Sequence, residues 1–129
     1  MRQASCSCGQ LTATVSADPI RVSVCHCLAC QQRTGSVFGT QARFHRRDVH
    51  TRGDASQYVR TGDSGGRATF SFCPVCGATV YYQLQDQEQM IAMPVGAFAD
   101  PGFPHPVRSV YEERQHPWVQ LHIEGEHIR

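Results

Sequence analysis

Phe72-Cys73-Pro74-Val75-Cys76-Gly77 is a C-x-x-C turn closed by a glycine, and its reading decides what holds this chain together. Such a knuckle bends so that both sulfurs and the turn's backbone N–H groups converge on one ion. Gly77 supplies the permissive backbone the bend requires. A similar turn, Cys6-Ser7-Cys8-Gly9, lies near the N-terminus. Together the two turns offer four thiols, the set that closes a tetrahedral structural site, where zinc is a commoner occupant than iron. A metal held by Cys6, Cys8, Cys73 and Cys76 would join two distant parts of the chain and contribute folding energy outright. Disulfides are the competing use of these residues. Cys6 and Cys8 are too close in sequence for an easy one, and reducing surroundings disfavour it.

The remaining three of the seven cysteines form a third cluster, Cys25-His26-Cys27-Leu28-Ala29-Cys30. Four plus three thiols match one closed site and one open site, and the open one keeps a position for chemistry. Cys25, Cys27 and Cys30 are therefore the candidate catalytic ligands. Three thiolates leave a zinc unit negatively charged and a weak Lewis acid, so bound water is poorly activated. A soft site of this kind favours an exogenous thiol over hydrolysis. A fourth protein ligand would close it, with His26, His45, His50, His105 and His116 as the candidates. His26 lies between two ligands and, in extended backbone, points away from them.

At 129 residues, 40% hydrophobic and 18% charged, the chain is expected to form one globular domain over residues 1–129. No apolar run approaches a membrane span, and Met1-Arg2-Gln3 leads straight into the first cysteines without a signal peptide's apolar core. The expected setting is cytoplasmic, where cysteines stay reduced and C-x-x-C spacings serve metals. A net charge of +1 gives no electrostatic case for nucleic acid. All basic residues are arginine, so no lysine is available for Schiff-base or general-base work.

Period-two alternation in short bursts predicts a mainly β fold of short antiparallel strands and long loops, a zinc-stapled sandwich or tent. Predicted strands are 11–16, 20–24 (running into Cys25), 36–44, 68–72 (running into Cys73), 79–83, 90–93 and 119–123. One short helix is expected from Leu28 to Arg33, stopped by Gly35. Turns are predicted at Asp18-Pro19, Gly53-Asp54, Gly62 to Gly66, Asp100-Pro101-Gly102 and Pro104 to Pro106.

With these residues in place, the chain resembles the glutathione-dependent formaldehyde-activating enzyme family, which shares its domain with centromere protein V. The resemblance rests on Cys6-Ser7-Cys8-Gly9-Gln10-Leu11, on Cys25-His26-Cys27 with Cys30 and Gln32-Arg33-Thr34-Gly35-Ser36, and on Phe72 to Gly77. Pro94-Val95-Gly96-Ala97-Phe98-Ala99-Asp100-Pro101 and Pro117-Trp118-Val119 extend it over essentially the whole chain. It implies a β-rich fold stapled by zinc on Cys6, Cys8, Cys73 and Cys76, and a second, reactive zinc on Cys25, Cys27 and Cys30. The implied reaction is a carbon–sulfur lyase step, adding formaldehyde to the thiol of glutathione or reversing that addition. The chain starts almost at the first cysteine, so no N-terminal extension is expected to complete a substrate site.

Glutathione carries two carboxylates, which makes Arg33, close behind Cys30, the first candidate to bind it; Arg21, Arg43, Arg46 and Arg47 follow. Thr34-Gly35-Ser36 offers hydroxyl and backbone donors for an oxyanion-type contact, or simply a turn. The rival functions are a non-catalytic carrier of thiols or their adducts and a zinc-ribbon interaction module. The expected partner is a small thiol such as glutathione, with no membrane and no nucleic acid.

Overall fold

A computed structural model describes residues 1–62 and 65–129. The strands are β1 (Arg2–Ser5), β2 (Thr12–Val15), β3 (Arg21–Cys25), β4 (Gly39–His45), β5 (Val49–Arg52), β6 (Ser56–Thr61), β7 (Arg67–Phe72), β8 (Thr79–Leu84), β9 (Met90–Pro94), β10 (Arg108–Val110) and β11 (Glu126–His127). The α-helix, α1, spans Leu28–Thr34, and three short 3₁₀ turns complete the regular structure. Among the described residues no helix is long and apolar enough to cross a membrane.

Two open sheets form, one of order β1-β2-β5 and one of order β11-β10-β3-β4-β9-β8-β7-β6. The fold is mainly β, as the alternation predicts. Pairings are antiparallel except those of β10, which runs parallel to both β3 and β11. Alternation explains the layering. Ala13 and Val15 of β2 are fully buried while Thr12 and Thr14 are half-exposed. Those alanine and valine side chains, with Ala4 and Leu11, pack on Val22, Ala42, Phe44, Val80, Ile91 and Met93 of the larger sheet. Burial of this apolar set drives the two sheets together. On the opposite face of the larger sheet a smaller cluster joins Ala68, Phe70, Tyr82 and Ala92.

Cys25 belongs to this second face by register. It pairs with Gly39, and Ser23 with Gln41 and Arg21 with Arg43 follow at steps of two along the strands. The face carries α1, which folds back immediately after β3. Cys27 is its N-cap, with Sγ accepting the N–H of Cys30 at 3.3 Å. Gly35 closes the helix at φ +72°, in the left-handed conformation the sequence reading gives to a glycine stop.

Three strand expectations change. The predicted strand 119–123 is absent: the N–H of Val119 turns back to the carbonyl of His116, and pairing resumes only at β11. The strand expected from residue 36 begins at Gly39, after the helix cap. The strand expected from Ile20 begins at Arg21, leaving Ile20 nearly half exposed, whereas Ser23 within it is buried beside Gln41 and Arg108. Of the Gly62 to Gly66 turn, residues 63 and 64 lie outside the described residues. The carbonyl of Gly66 accepts the N–H of Gly62.

Candidate metal centres

The two glycine-closed turns are near copies of each other. The N–H of Cys6 bonds to the carbonyl of Leu11 and the N–H of Gly9 to that of Cys6. The N–H of Cys73 bonds to the carbonyl of Ala78 and the N–H of Gly77 to that of Cys73. Gly9 at φ +88° and Gly77 at φ +82° take the conformation that lets each chain turn under its sulfurs. The register of β7 on β8 shifts between Ser71 and Phe72, just before Cys73.

The four sulfurs of Cys6, Cys8, Cys73 and Cys76 lie within 4.8 Å of one another. Cys6 and Cys73 are buried, and Cys8 and Cys76 face solvent. Donors already point at the sulfurs: Leu11 N–H at Cys6 Sγ (3.3 Å), Val75 and Cys76 N–H at Cys73 Sγ (3.3 and 3.5 Å), and Gln10 Nε2 at Cys73 Sγ (3.0 Å). Burial opposes ionisation of Cys73, yet these donors outweigh it and hold the thiol down to about 6. Cys76 is lowered, first by the N–H of Ala78. At Cys8 the Gln10 N–H favours the thiolate, but desolvation and the three neighbouring sulfurs push it up to about 11. Thiols that crowd and compete for protons in this way, with N–H donors aimed at sulfur, are the donor set a divalent soft metal takes.

Cys25, Cys27 and Cys30 form a second group with sulfurs within 4.8 Å. Cys25 and Cys30 are buried and Cys27 is half-buried, so the trio opens through Cys27. Its thiol is held down to about 2, first by hydrogen bonds from Cys25 and Cys30, then by the N–H of Cys30 and the charge of Arg60. Cys25 is pushed up, first by its bond to Cys27. The residues fit a metal held through three sulfurs.

Among the described residues no histidine or carboxylate joins either group. His26 is fully buried, with Nε2 on Ser109 Oγ (3.0 Å) and its ring against Phe38. Burial lowers its pKa and keeps it neutral. His116 Nε2 meets Gln31 Oε1 at 2.9 Å, and His45, His50 and His105 are exposed.

Arg33 stands on α1 with its guanidinium 5.2 Å from the ring centres of both Phe70 and Tyr82. Arg60 approaches Phe70 from β6 at 5.0 Å. Both arginines line a cavity of about 430 Å³ with Tyr58, Phe70, Phe72 and Thr79. Arg33 Nε and Arg60 Nη1 are buried there without a hydrogen-bond partner. Sequence reasoning missed Arg60 because Ser56–Thr61 carries mostly polar, exposed residues, and its place follows only from pairing with β7. Thr34-Gly35-Ser36 is a turn: Thr34 Oγ1 donates to the Cys30 carbonyl at 2.8 Å and accepts the Ser36 N–H at 3.1 Å. Arg46 and Arg47 sit exposed in a 3₁₀ turn away from either centre.

The sequence profile of the glutathione-dependent formaldehyde-activating enzyme family matches residues 1–114. The chain belongs to this family, whose description ties it to glutathione and formaldehyde. Among curated proteins none matches the sequence. A crystal structure of a Rhodobacter sphaeroides protein, a structural-genomics target, superposes with a TM-score of 0.59 at 22% identity. The match covers 83% of this chain and 98% of that one, and it speaks for the fold alone.

Proposed function

We propose that the protein is a zinc-dependent enzyme of the carbon–sulfur lyase type, joining a small thiol such as glutathione to an aldehyde such as formaldehyde, or cleaving the adduct, in a cytoplasmic setting. Cys6, Cys8, Cys73 and Cys76 hold a structural zinc, and Cys25, Cys27 and Cys30 hold a second one at the reaction site. Zinc bound there would supply a soft fourth position that takes the substrate sulfur as its thiolate. In the overall reaction a carbon–sulfur bond forms at the carbonyl carbon, and the thiol proton ends on the carbonyl oxygen.

The observation that carries this reading is the convergence of three sulfurs, with no histidine or carboxylate among them, beside a cavity that holds two arginines. The charge of Arg60 acts on Cys27, and that of Arg33 acts on Cys30. Arg33 and Arg60 offer forks to a substrate carboxylate, and Phe70 and Tyr82 hold the Arg33 plane by cation–π contact. His26 keeps its Nε2 on Ser109 and orients the loop between two of the sulfurs.

Metal content per chain, with zinc-edge absorption recorded before and after adding glutathione, tests the reading. Two zincs, one changing its ligands when glutathione arrives, is the expected result. Two unresponsive zincs, or one alone, would overturn it. Exchange of formaldehyde with glutathione, followed by NMR, then separates an enzyme from a carrier, since a carrier leaves that rate unchanged.

A further inference from the structure

The sheet face that presents Cys25 continues along β3 into a second cavity, of about 410 Å³, that the three-cysteine centre does not use. Ser23, two residues before Cys25, is 3% exposed, and its Oγ is buried with no hydrogen-bond partner. Gln41, its register partner on β4, is 5% exposed, and its Oε1 is likewise unpaired. Buried polar atoms left unpaired cost free energy, so two side by side in one cavity mark a place where a ligand completes the bonding.

Three arginines surround this pair. Arg21 and Arg43 are register partners on β3 and β4, and Arg108 pairs in register with Ser23 from β10. All three line the cavity. Glu126 meets Arg108 at 3.1 Å. Arg21 feels the crowding: its pKa is lowered, first by burial and then by the charges of Arg43 and Arg108. Like charges gathered around unpaired polar atoms favour an anion between them.

We propose that this cavity binds a carboxylate other than the one offered to Arg33 and Arg60, at the end of a peptide- or amino-acid-like arm of the same thiol whose sulfur reaches the three-cysteine centre. The arginine forks take the carboxylate, Ser23 Oγ–H donates to it, and Gln41 Oε1 accepts an N–H of the arm. Val110 also lines the cavity and is the register partner of Cys25. Ser23 itself precedes Cys25 by two residues on the same face, so their Cα atoms are about 7 Å apart, one pleat repeat along the strand. One small ligand spans that distance. The cavity would thus select carboxylate-bearing thiols over simple ones.

The inference rests on the thiol reading above, and two probes separate them. S-methylglutathione carries carboxylates and amide N–H groups but no free thiol; 2-mercaptoethanol carries the thiol and no carboxylate. Each is titrated by calorimetry into the zinc-loaded protein and its Arg21→Gln and Ser23→Ala variants. Arg21→Gln is expected to weaken S-methylglutathione about tenfold or more, the loss of one charged hydrogen-bonding partner, and to leave 2-mercaptoethanol unchanged. Ser23→Ala, smaller by one hydroxyl oxygen, serves the same purpose should Arg21→Gln fail to fold. Equal S-methylglutathione affinity in all three proteins, or no binding to the unaltered one, overturns the carboxylate site. If S-methylglutathione binds and 2-mercaptoethanol does not, the thiol reading falls and the carboxylate site stands.

Discussion

Gln10 ties the two cysteine turns together: its Nε2 lies 3.0 Å from Cys73 Sγ and 2.6 Å from the Asp54 carbonyl, while its Oε1 accepts the Asp54 N–H at 2.9 Å. One amide, two residues after Cys8, thus braces a sulfur of the other turn and a loop from a third part of the chain. Gln10→Ala should cost about 1–3 kcal/mol of stability, through the bonds lost at Asp54 and the sulfur. It should also lower metal affinity at the four-cysteine site by about 10–100-fold, the usual effect of removing a residue that supports a ligand. Competition with a chromophoric chelator and thermal melts measure the two effects. An unchanged chelator midpoint would show that the contact is incidental.

The two cysteine groups should respond differently to loss of one sulfur. Cys73 is buried and receives donors from Gln10, Val75 and Cys76, so Cys73→Ser should abolish metal binding at the proposed four-cysteine site and unfold the protein. Cys27 is half-buried at the opening of its trio, where Cys27→Ser keeps an oxygen able to cap α1. That variant should retain its β circular dichroism and lose one zinc per chain. Collapse of Cys27→Ser to an unfolded spectrum would make the second metal structural.

The parts of this fold that were legible in the sequence are those fixed by local chemistry. Cysteine spacing and the two glycines specify the paired turns, and the alternation at Thr12–Val15 and at Ala68 and Phe70 specifies which side chains go inward, until the register shift after Ser71 buries that serine and leaves Phe72 half-buried. Gly35 ended the helix where a left-handed residue was needed. Long-range pairing was not legible. β10 has three residues, β11 two, and both depend on parallel partners distant in sequence, whereas 119–123 alternates apolar and polar residues and reads as the better strand. The same blindness hid Arg60 and Arg108 as site residues. Ser23 misled in the other direction: alternation places a serine toward water, but its register neighbours Gln41 and Arg108 bury it.

Glu112 and His127 tie β11 to the turn after β10, with His127 Nδ1 2.7 Å from Glu112 Oε2 and Nε2 2.9 Å from the Ile123 carbonyl. The bond to Glu112 raises the His127 pKa, and the same bond lowers that of Glu112. The raised histidine stabilises fully below its unfolded value of about 6.5 and loses that effect as pH rises through its folded pKa. The lowered carboxylate stabilises above its unfolded value of about 4.3 and loses the effect as pH falls through its folded pKa. The pair therefore contributes most between those two values. His26, buried and neutral, acts oppositely as pH falls below the ordinary histidine range. The difference in melting temperature between the protein and His127→Gln isolates the pair, and it should shrink from slightly acid to alkaline pH. An NMR titration midpoint for His127 at or below the ordinary histidine value would contradict the pairing.

Arg33 sits where packing and the proposed substrate contact coincide, which makes Arg33→Lys a sharper substitution than removal of charge. The guanidinium lies over Phe70 and Tyr82, and its Nε is buried without a hydrogen-bond partner. Lysine keeps the charge but loses the planar fork and its fit against two rings. Arg33→Lys should lower stability by only about 1 kcal/mol, the size of a cation–π contact. Glutathione affinity should fall more, by about tenfold, since a bidentate carboxylate contact becomes a point charge. Calorimetric titration of glutathione into the zinc-loaded variant, beside its thermal melt, compares the two losses directly. Affinity preserved in Arg33→Lys would remove Arg33 from the substrate site and leave it as packing for the Phe70–Tyr82 stack.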